Sequence, residues 1–170
     1  LLQNLLFWSR NQLEDLKPRF EEFDANRVIQ ETIDFLKQIA WSKDISIEYR
    51  CDESLFCYAD KRMIETVIRN LISNAIKFSF GGGVIKVTGE ISDKFVFVRV
   101  IDNGIGMSEE TQKKLFVYKE SASLAGTKGE RGTGLGLMLC KEFVEGNNGT
   151  ITILSKKNEG TEVTVKLPGA

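Results

Sequence analysis

Three stretches of the chain carry residues whose types and spacing could do chemistry. In the first, Asn70, Asn74 and Lys77 stand at i, i+4 and i+7 of a helix-forming run, so two amides and an ammonium share one stripe. Such a stripe can seat a metal ion and phosphate oxygens; the same amides could instead satisfy the carbonyls of a neighbouring loop. In the second, Asp102-Asn103-Gly104-Ile105-Gly106-Met107 directly follows an alternating apolar run. A carboxylate held at a strand end beside two glycines lets a flat ligand come close to backbone; an Asp-Asn-Gly sequence also makes an ordinary turn. In the third, Gly129, Gly132, Gly134 and Gly136 lead into Leu137, Leu139, Cys140, Phe143 and Val144 at helical spacing. Open backbone N–H groups at a helix N-terminus bind phosphate, and a mere flexible linker would not pass unbroken into an amphipathic helix. Neither a Walker A loop nor a G-x-G-x-x-G fingerprint is present. Together the three read as one site: an apolar slot with a carboxylate at its base for a purine edge, amides for a metal, and a glycine loop for phosphates.

Composition excludes several other chemistries. The 170 residues contain no histidine, so neither Ser-His-Asp nor Cys-His catalysis, an imidazole zinc site, nor a phosphohistidine can be built from this chain alone. With 23 basic against 24 acidic residues, both signs interspersed, there is no electrostatic footprint for nucleic acid or an anionic membrane. Cys51, Cys57 and Cys140 show no C-x-x-C pair and read as buried thiols of a reducing compartment, with a Cys51 to Cys57 bridge across a short hairpin as the minor alternative. No run reaches the roughly 18 apolar residues of a membrane span, and no signal peptide precedes the first helix, so the chain reads as soluble. It opens on Leu1 in an apolar run without an initiator methionine, which predicts excision from something longer.

The elements that must position these residues follow from periodicity and caps. Leu1, Leu2, Leu5, Leu6, Trp8, Leu13 and Leu16 predict a terminal helix ending near Pro18, with more apolar surface than an arm needs. Residues 26–42 form a second helix behind Asp24 or Asn26. Ile45–Tyr49 alternates as a strand, with Leu55–Ala59 as its short partner. Asp60 caps a helix from Lys61 to about Phe78, whose apolar arc holds Met63, Ile64, Val67, Leu71, Ala75 and Phe78, with Asn74 inside the arc and Arg62, Glu65, Arg69 and Ser73 on the solvated side. After Gly81-Gly82-Gly83, Val84–Ile91 and Phe95–Ile101 form a hairpin through Ser92-Asp93-Lys94. A short helix over 108–116 follows Ser108, then a polar loop over 117–133, long enough to be functional or disordered. A helix from about Gly134 to Glu145 and a hairpin of Thr150–Ser155 with Glu162–Leu167 close the chain.

The order of these motifs resembles the N, G1, F, G2 and G3 boxes of the sensor histidine kinases. The matching stretches are Asn70 to Phe78, Asp102 to Met107, Leu115-Phe116, Gly132-Thr133-Gly134-Leu135-Gly136-Leu137 and Gly160-Thr161. The wider ATPase superfamily is shared with gyrase, Hsp90 and MutL, and the resemblance covers about residues 24–168. Leu5-Leu6-Phe7-Trp8-Ser9 looks like the end of the second helix of a dimerisation and histidine-phosphotransfer domain. One departure stands out: Leu115-Phe116-Val117-Tyr118 lacks the usual Pro-Phe pair, which predicts lid docking unlike the family pattern.

The resemblance implies an α/β two-layer sandwich of the Bergerat ATP-binding type, a mixed sheet of about five strands with three helices on one face, preceded by a remnant helix. It divides the chain into a phosphotransfer remnant over 1–22 and a catalytic domain over 24–170 with a lid at about 107–133. By position, Asp102 would accept the adenine amino group with help from Thr161 through water, and Asn74 would hold Mg²⁺. Asn70 and Lys77, the candidate catalytic pair, would contact phosphate oxygens beside Phe78. Gly104 and Gly106, with Met107, would start the lid close to adenine. Gly132, Thr133, Gly134, Leu135, Gly136 and Leu137 would close over the triphosphate, and Lys128 or Arg131 would supply a lid cation. The function implied is transfer of the γ-phosphate of Mg·ATP to a histidine outside this chain. The partners are the phosphotransfer domain of a homodimeric parent and a response regulator receiver domain, with the domain in the cytoplasm and the parent an inner-membrane sensor. A nucleotide-binding module without transfer and a gyrase-type ATP hydrolase are the alternatives; an amide at Asn70, where such hydrolases carry a glutamate, cannot act as a general base.

Overall fold

The computed structural model describes residues 17–51, 53–115, 126–130 and 134–170. The expected terminal helix over 1–16 lies outside them, as do 116–125 and 131–133 of the lid. The element order is β1 (Glu21–Asp24), α1 (Ala25–Ser42), β2 (Ser46–Cys51), β3 (Phe56–Ala59), α2 (Lys61–Phe78), β4 (Val84–Ser92), β5 (Phe95–Asp102), α3 (Glu109–Lys114), α4 (Gly136–Gly146), β6 (Thr150–Lys156) and β7 (Gly160–Pro168). Five strands form a mixed sheet in the order β2-β4-β5-β7-β6, with β2 parallel to β4 and the rest antiparallel. Among the described residues no helix is long and apolar enough to cross a membrane.

The caps act where the side chains predict. Asp24 accepts from Asn26 N at 2.9 Å, Asp60 from Met63 N at 3.1 Å, and Ser108 from Thr111 N at 3.2 Å, each satisfying an orphan donor of a first turn. Strand alternation then sorts the sheet into two faces. Ile85, Val87, Val96, Val98, Val100, Val163, Val165 and Leu167 point inward and form one core with the apolar stripes of α1, α2 and α4. The outward face of the central strands carries charged and aromatic residues: Arg99 pairs with Glu90 at 2.6 Å, and the Lys166 ammonium lies 3.7 Å from the centre of the Phe95 ring.

Two expectations about packing are corrected. The buried arc of α2 also contains Ile68, Ile72 and Ile76, so it sweeps about 220° from Met63; Asn74 lies inside it between Met63 and Val67, half-buried, as the wheel places it. Glu65, assigned to the solvated side, is half-buried on the same arc. Leu55–Ala59 is not the partner of β2. Strand β3 pairs antiparallel with β1 in a separate two-stranded sheet, Phe23 opposite Cys57. The reason is burial: Leu55, Cys57 and Ala59 are fully enclosed, whereas β2 is an edge strand whose inner residues Ile47, Tyr49 and Cys51 are only half covered. A hairpin there would have left three apolar side chains at the sheet edge. The cysteines are free, and burial pushes the Cys57 and Cys140 thiols up to about 12, so they stay protonated.

Leu55 also fills the space that a side chain at Gly89 of β4 would need, since a Cβ there would fall on its Cδ1. Leu55→Ala should cost about 2–5 kcal/mol through the cavity, and Gly89→Ala about 1–3 kcal/mol through overpacking. Urea unfolding of the double variant should show less than the sum of the two. Strict additivity would mean that the two positions do not share this volume.

Candidate nucleotide-binding site

The site begins with strand register. Asp102 is the last inward-facing position of β5, one alternation beyond Val100. It is paired with Thr161 of β7, and Thr161 is paired with Ser155 of β6. One polar residue from each of three strands therefore forms a row at the end of an apolar face. The Asp102 carboxylate accepts from the backbone N–H of Gly104 at 2.9 Å and from that of Thr161. Burial raises its pKa, and these two N–H groups offset that only in part. Ser155 Oγ accepts from Met107 N at 2.9 Å and donates to the Gly160 carbonyl at 2.9 Å. Its single proton is thus used, so Thr161 is the donor in the 2.9 Å contact between the two hydroxyls. That leaves lone pairs of Thr161 beside an acceptor carboxylate. Ser155 was missed in the sequence; the signal was available in the alternation Ile151, Ile153, Ser155, which ends on a hydroxyl.

The glycines next to Asp102 are required first by the chain itself. A Cβ on Gly104 would land on the Phe78 carbonyl, and the closeness it permits lets Ile105 N donate to that carbonyl at 3.1 Å. Gly106 has φ +56°, and a Cβ there would strike the Lys156 carbonyl, while Asn158 N donates to Ile105 O at 2.7 Å. These glycines dock the loop between the end of α2 and the β6–β7 turn. The ligand-approach reason for them is therefore joined by a backbone-packing one.

On α2 the stripe of Asn70, Asn74 and Lys77 faces the start of α4. Asn70 Nδ2 donates to Thr66 O at 2.9 Å, and its Oδ1 lies 3.2 Å from where a Cβ of Gly136 would be, a tight approach that glycine eases. Among the described residues nothing hydrogen-bonds to the Asn74 amide. Lys77 Nζ stands 4.6 Å from the centre of the Phe78 ring, and burial lowers its pKa, with nearby Glu130 opposing and Lys43 adding to that shift. Helix α4 starts at Gly136 behind Leu135 and Gly134 (φ +72°) with no side-chain cap, leaving first-turn N–H groups open, and Leu137 packs against the core. Lys128 is turned away from the stripe: its ammonium reaches the Ser42 carbonyl at 3.4 Å. Arg131, Gly132, Thr133 and Phe116 lie outside the described residues.

A carboxylate row, an amide stripe and an open helix N-terminus thus surround one end of the α/β interface. The sequence profile of the histidine kinase-, DNA gyrase B- and HSP90-like ATPases matches residues 59–170, which includes all three. The chain belongs to this family. Within it, the relatives are histidine kinases. The chain is 28% identical over 168 residues to the sensor-like histidine kinase SenX3 of Mycobacterium tuberculosis, covering 99% of this chain and 41% of that protein. It is 31% identical over 169 residues to the histidine protein kinase DivJ of Caulobacter vibrioides, covering 99% and 28%. The chain therefore spans well under half of these curated relatives. The crystallised catalytic domain of histidine kinase ThkA superposes with a TM-score of 0.76 at 29% identity, covering 88% of this chain and 95% of that one. ThkA in complex with the response regulator TrrA superposes with a TM-score of 0.77 at 25% identity, covering 99% and 48%.

The chain is thus an ATP-binding domain of the histidine kinase type, and the row led by Asp102 is the polar end of its α/β interface. Because the folded pKa of Asp102 lies above the unfolded one, ionising it costs stability, and that cost disappears as pH falls below the unfolded value. Asp102→Asn should therefore keep or raise the melting temperature at neutral pH. It should weaken ATP binding by about 10- to 100-fold, through loss of a charged acceptor worth about 1.5–3 kcal/mol. In the unaltered chain, calorimetry should show ATP affinity declining on acidification before ordinary carboxylates titrate, and that decline should be absent from the variant.

Proposed function

We propose that this domain transfers the γ-phosphate of Mg·ATP to a histidine outside the chain, on the dimerisation and histidine-phosphotransfer domain of its parent. The observation that carries this reading is the state of Asn70. Its amide donates to the backbone of its own helix and presents only an oxygen toward α4, so the position has no group able to take a proton from water. An amide rather than a general base at this position suits transfer to a side chain better than ATP hydrolysis. Phosphoryl transfer needs positioning and charge neutralisation more than covalent participation.

In this reading Asp102 accepts from the adenine amino group, with Thr161 assisting through water, and Met107, Gly104 and Gly106 border the base. Phe78 packs beside the nucleotide, and Asn70 and Lys77 meet phosphate oxygens. Gly132, Thr133, Gly134, Leu135, Gly136 and Leu137 close over the triphosphate with the N–H groups of the α4 N-terminus, and Arg131 or a reoriented Lys128 supplies the lid cation. The half-buried Asn74 amide, with no described hydrogen-bond partner, fits a hard divalent cation that also takes phosphate oxygens and water. Magnesium held there would neutralise charge on the triphosphate.

Residues 1–22 are assigned to the phosphotransfer remnant, although Glu21 and Glu22 already stand in β1, and 24–170 to the catalytic domain. The parent is a homodimeric, inner-membrane sensor with this domain in the cytoplasm, and its phosphohistidine is drawn on by a receiver domain. The ThkA complex with TrrA supports the last partner.

Incubation of the chain with radiolabelled ATP and a histidine-bearing phosphotransfer domain from the parent should label that histidine, while the chain itself, which has none, stays unlabelled on histidine. Asn74→Ala should abolish the magnesium-dependent part of ATP binding and the transfer with it. Steady phosphate release without labelling would assign a hydrolase, and binding without either a sensing module.

A further inference from the structure

Lys43 is the one buried lysine among the described residues; its side chain is 5% exposed. It lies in the turn between α1 and β2. A buried ammonium is tolerated only when its donors are matched, and here all three are. Nζ donates to Ile76 O at 2.9 Å, to Lys77 O at 2.7 Å and to Glu130 Oε1 at 2.8 Å. Two of these acceptors are last-turn carbonyls of α2. The third belongs to the lid.

The lid segment Gly126–Glu130 is itself tightly tied. Gly126 N donates to Glu130 O at 2.8 Å, Lys128 N to Glu130 Oε2 at 2.8 Å, and Gly129 N to Gly126 O at 2.9 Å. Thr127 anchors it to α2, with N to Lys77 O at 3.1 Å and Oγ1 to Ser79 O at 2.7 Å. Gly126 has no room for a side chain, because a Cβ would meet the Glu130 carboxylate and, at 2.7 Å, Lys77 Cγ. Glu130 stands immediately before the Arg131 to Gly136 stretch.

We propose that Lys43 is a positioning residue for the phosphoryl-transfer reaction: through Glu130 it pins Gly126–Glu130, which leads into the glycine-rich stretch, to the end of α2 beside Lys77. The inference rests on the assignment of Lys77 and the glycine stretch to the triphosphate. Neither Lys43 nor Glu130 touches the nucleotide in this arrangement. What they fix is the distance between two elements that do. Burial raises the pKa of Glu130, but its hydrogen bonds to Lys43 and the backbone outweigh that and bring it down to about 2, so this carboxylate stays ionised at neutral pH.

Glu130 is 38% exposed, so Glu130→Gln keeps the fold while removing the charge and one acceptor. In the whole chain, competition binding with ATP and with adenosine separates the lid from the base-reading row. Glu130→Gln should weaken ATP by about tenfold while adenosine changes by less than about twofold, as expected when only the phosphate-side geometry loosens. Lys43→Met should do the same, and the double variant should be no worse than Lys43→Met alone, because the two act as one unit. Equal loss for ATP and adenosine would mark a merely structural pair, and unchanged ATP affinity would remove the positioning role; either overturns the proposal. Failure of the unaltered chain to discriminate ATP from adenosine would instead overturn the triphosphate assignment, and the inference with it.

Discussion

The last turn of α2 ends on four carbonyls that no residue further along the helix can satisfy, and the site is arranged around where their donors come from. Ala75 O receives Ser79 N, Ile76 O receives Lys43 Nζ, Lys77 O receives both Lys43 Nζ and Thr127 N, and Phe78 O receives Ile105 N. These donors belong to the helix cap, the α1–β2 turn, the lid root and the loop after Asp102. Meeting an ordinary hydrogen-bond obligation of one helix end thus brings together segments separated by up to half the chain. It also explains Gly104, since only a residue without Cβ lets Ile105 reach the Phe78 carbonyl.

The opposite wall of the site works against stability. Asp102 faces the apolar side of the sheet, and its raised pKa records a carboxylate held where water is scarce. It is kept there by cross-strand register with Thr161 and by two backbone donors, a partial compensation that leaves acceptor capacity for a ligand. The rest of the sheet is conventional: apolar residues inside, ion pairs and cation–π contacts outside. Polar groups are admitted to the inner face only at the end of the strands, where the core opens.

Much of this was legible in the chain. The caps at Asp24, Asp60 and Ser108, the β4–β5 and β6–β7 hairpins, and the helix after Gly136 follow from local rules that depend on a few neighbouring residues. The family follows from five motifs in order. The pairing of β3 with β1 was not legible, because Leu55–Ala59 alternates as well for one partner as for another, and only the burial of Leu55, Cys57 and Ala59 selects between them. The half-burial of Glu65 was hidden for a related reason: Ile72 and Ile76 flank it on a buried arc that reaches the side on which α1 packs as well. Lys43 looked like one more charge in a turn, and nothing in its neighbours marks it as buried.

By itself, then, the sequence determined most of the elements, though not β1, together with the family motifs, since helix periodicity, capping and motif spacing are all short-range. It also settled that these 170 residues offer no histidine to accept a phosphoryl group. Tertiary structure alone decided which of those residues share a row, why two glycines are obligatory, and how the lid root is held. Those depend on strand register and on carbonyls meeting donors from distant segments, and such pairings are selected by burial and hydrogen-bond satisfaction over the whole fold.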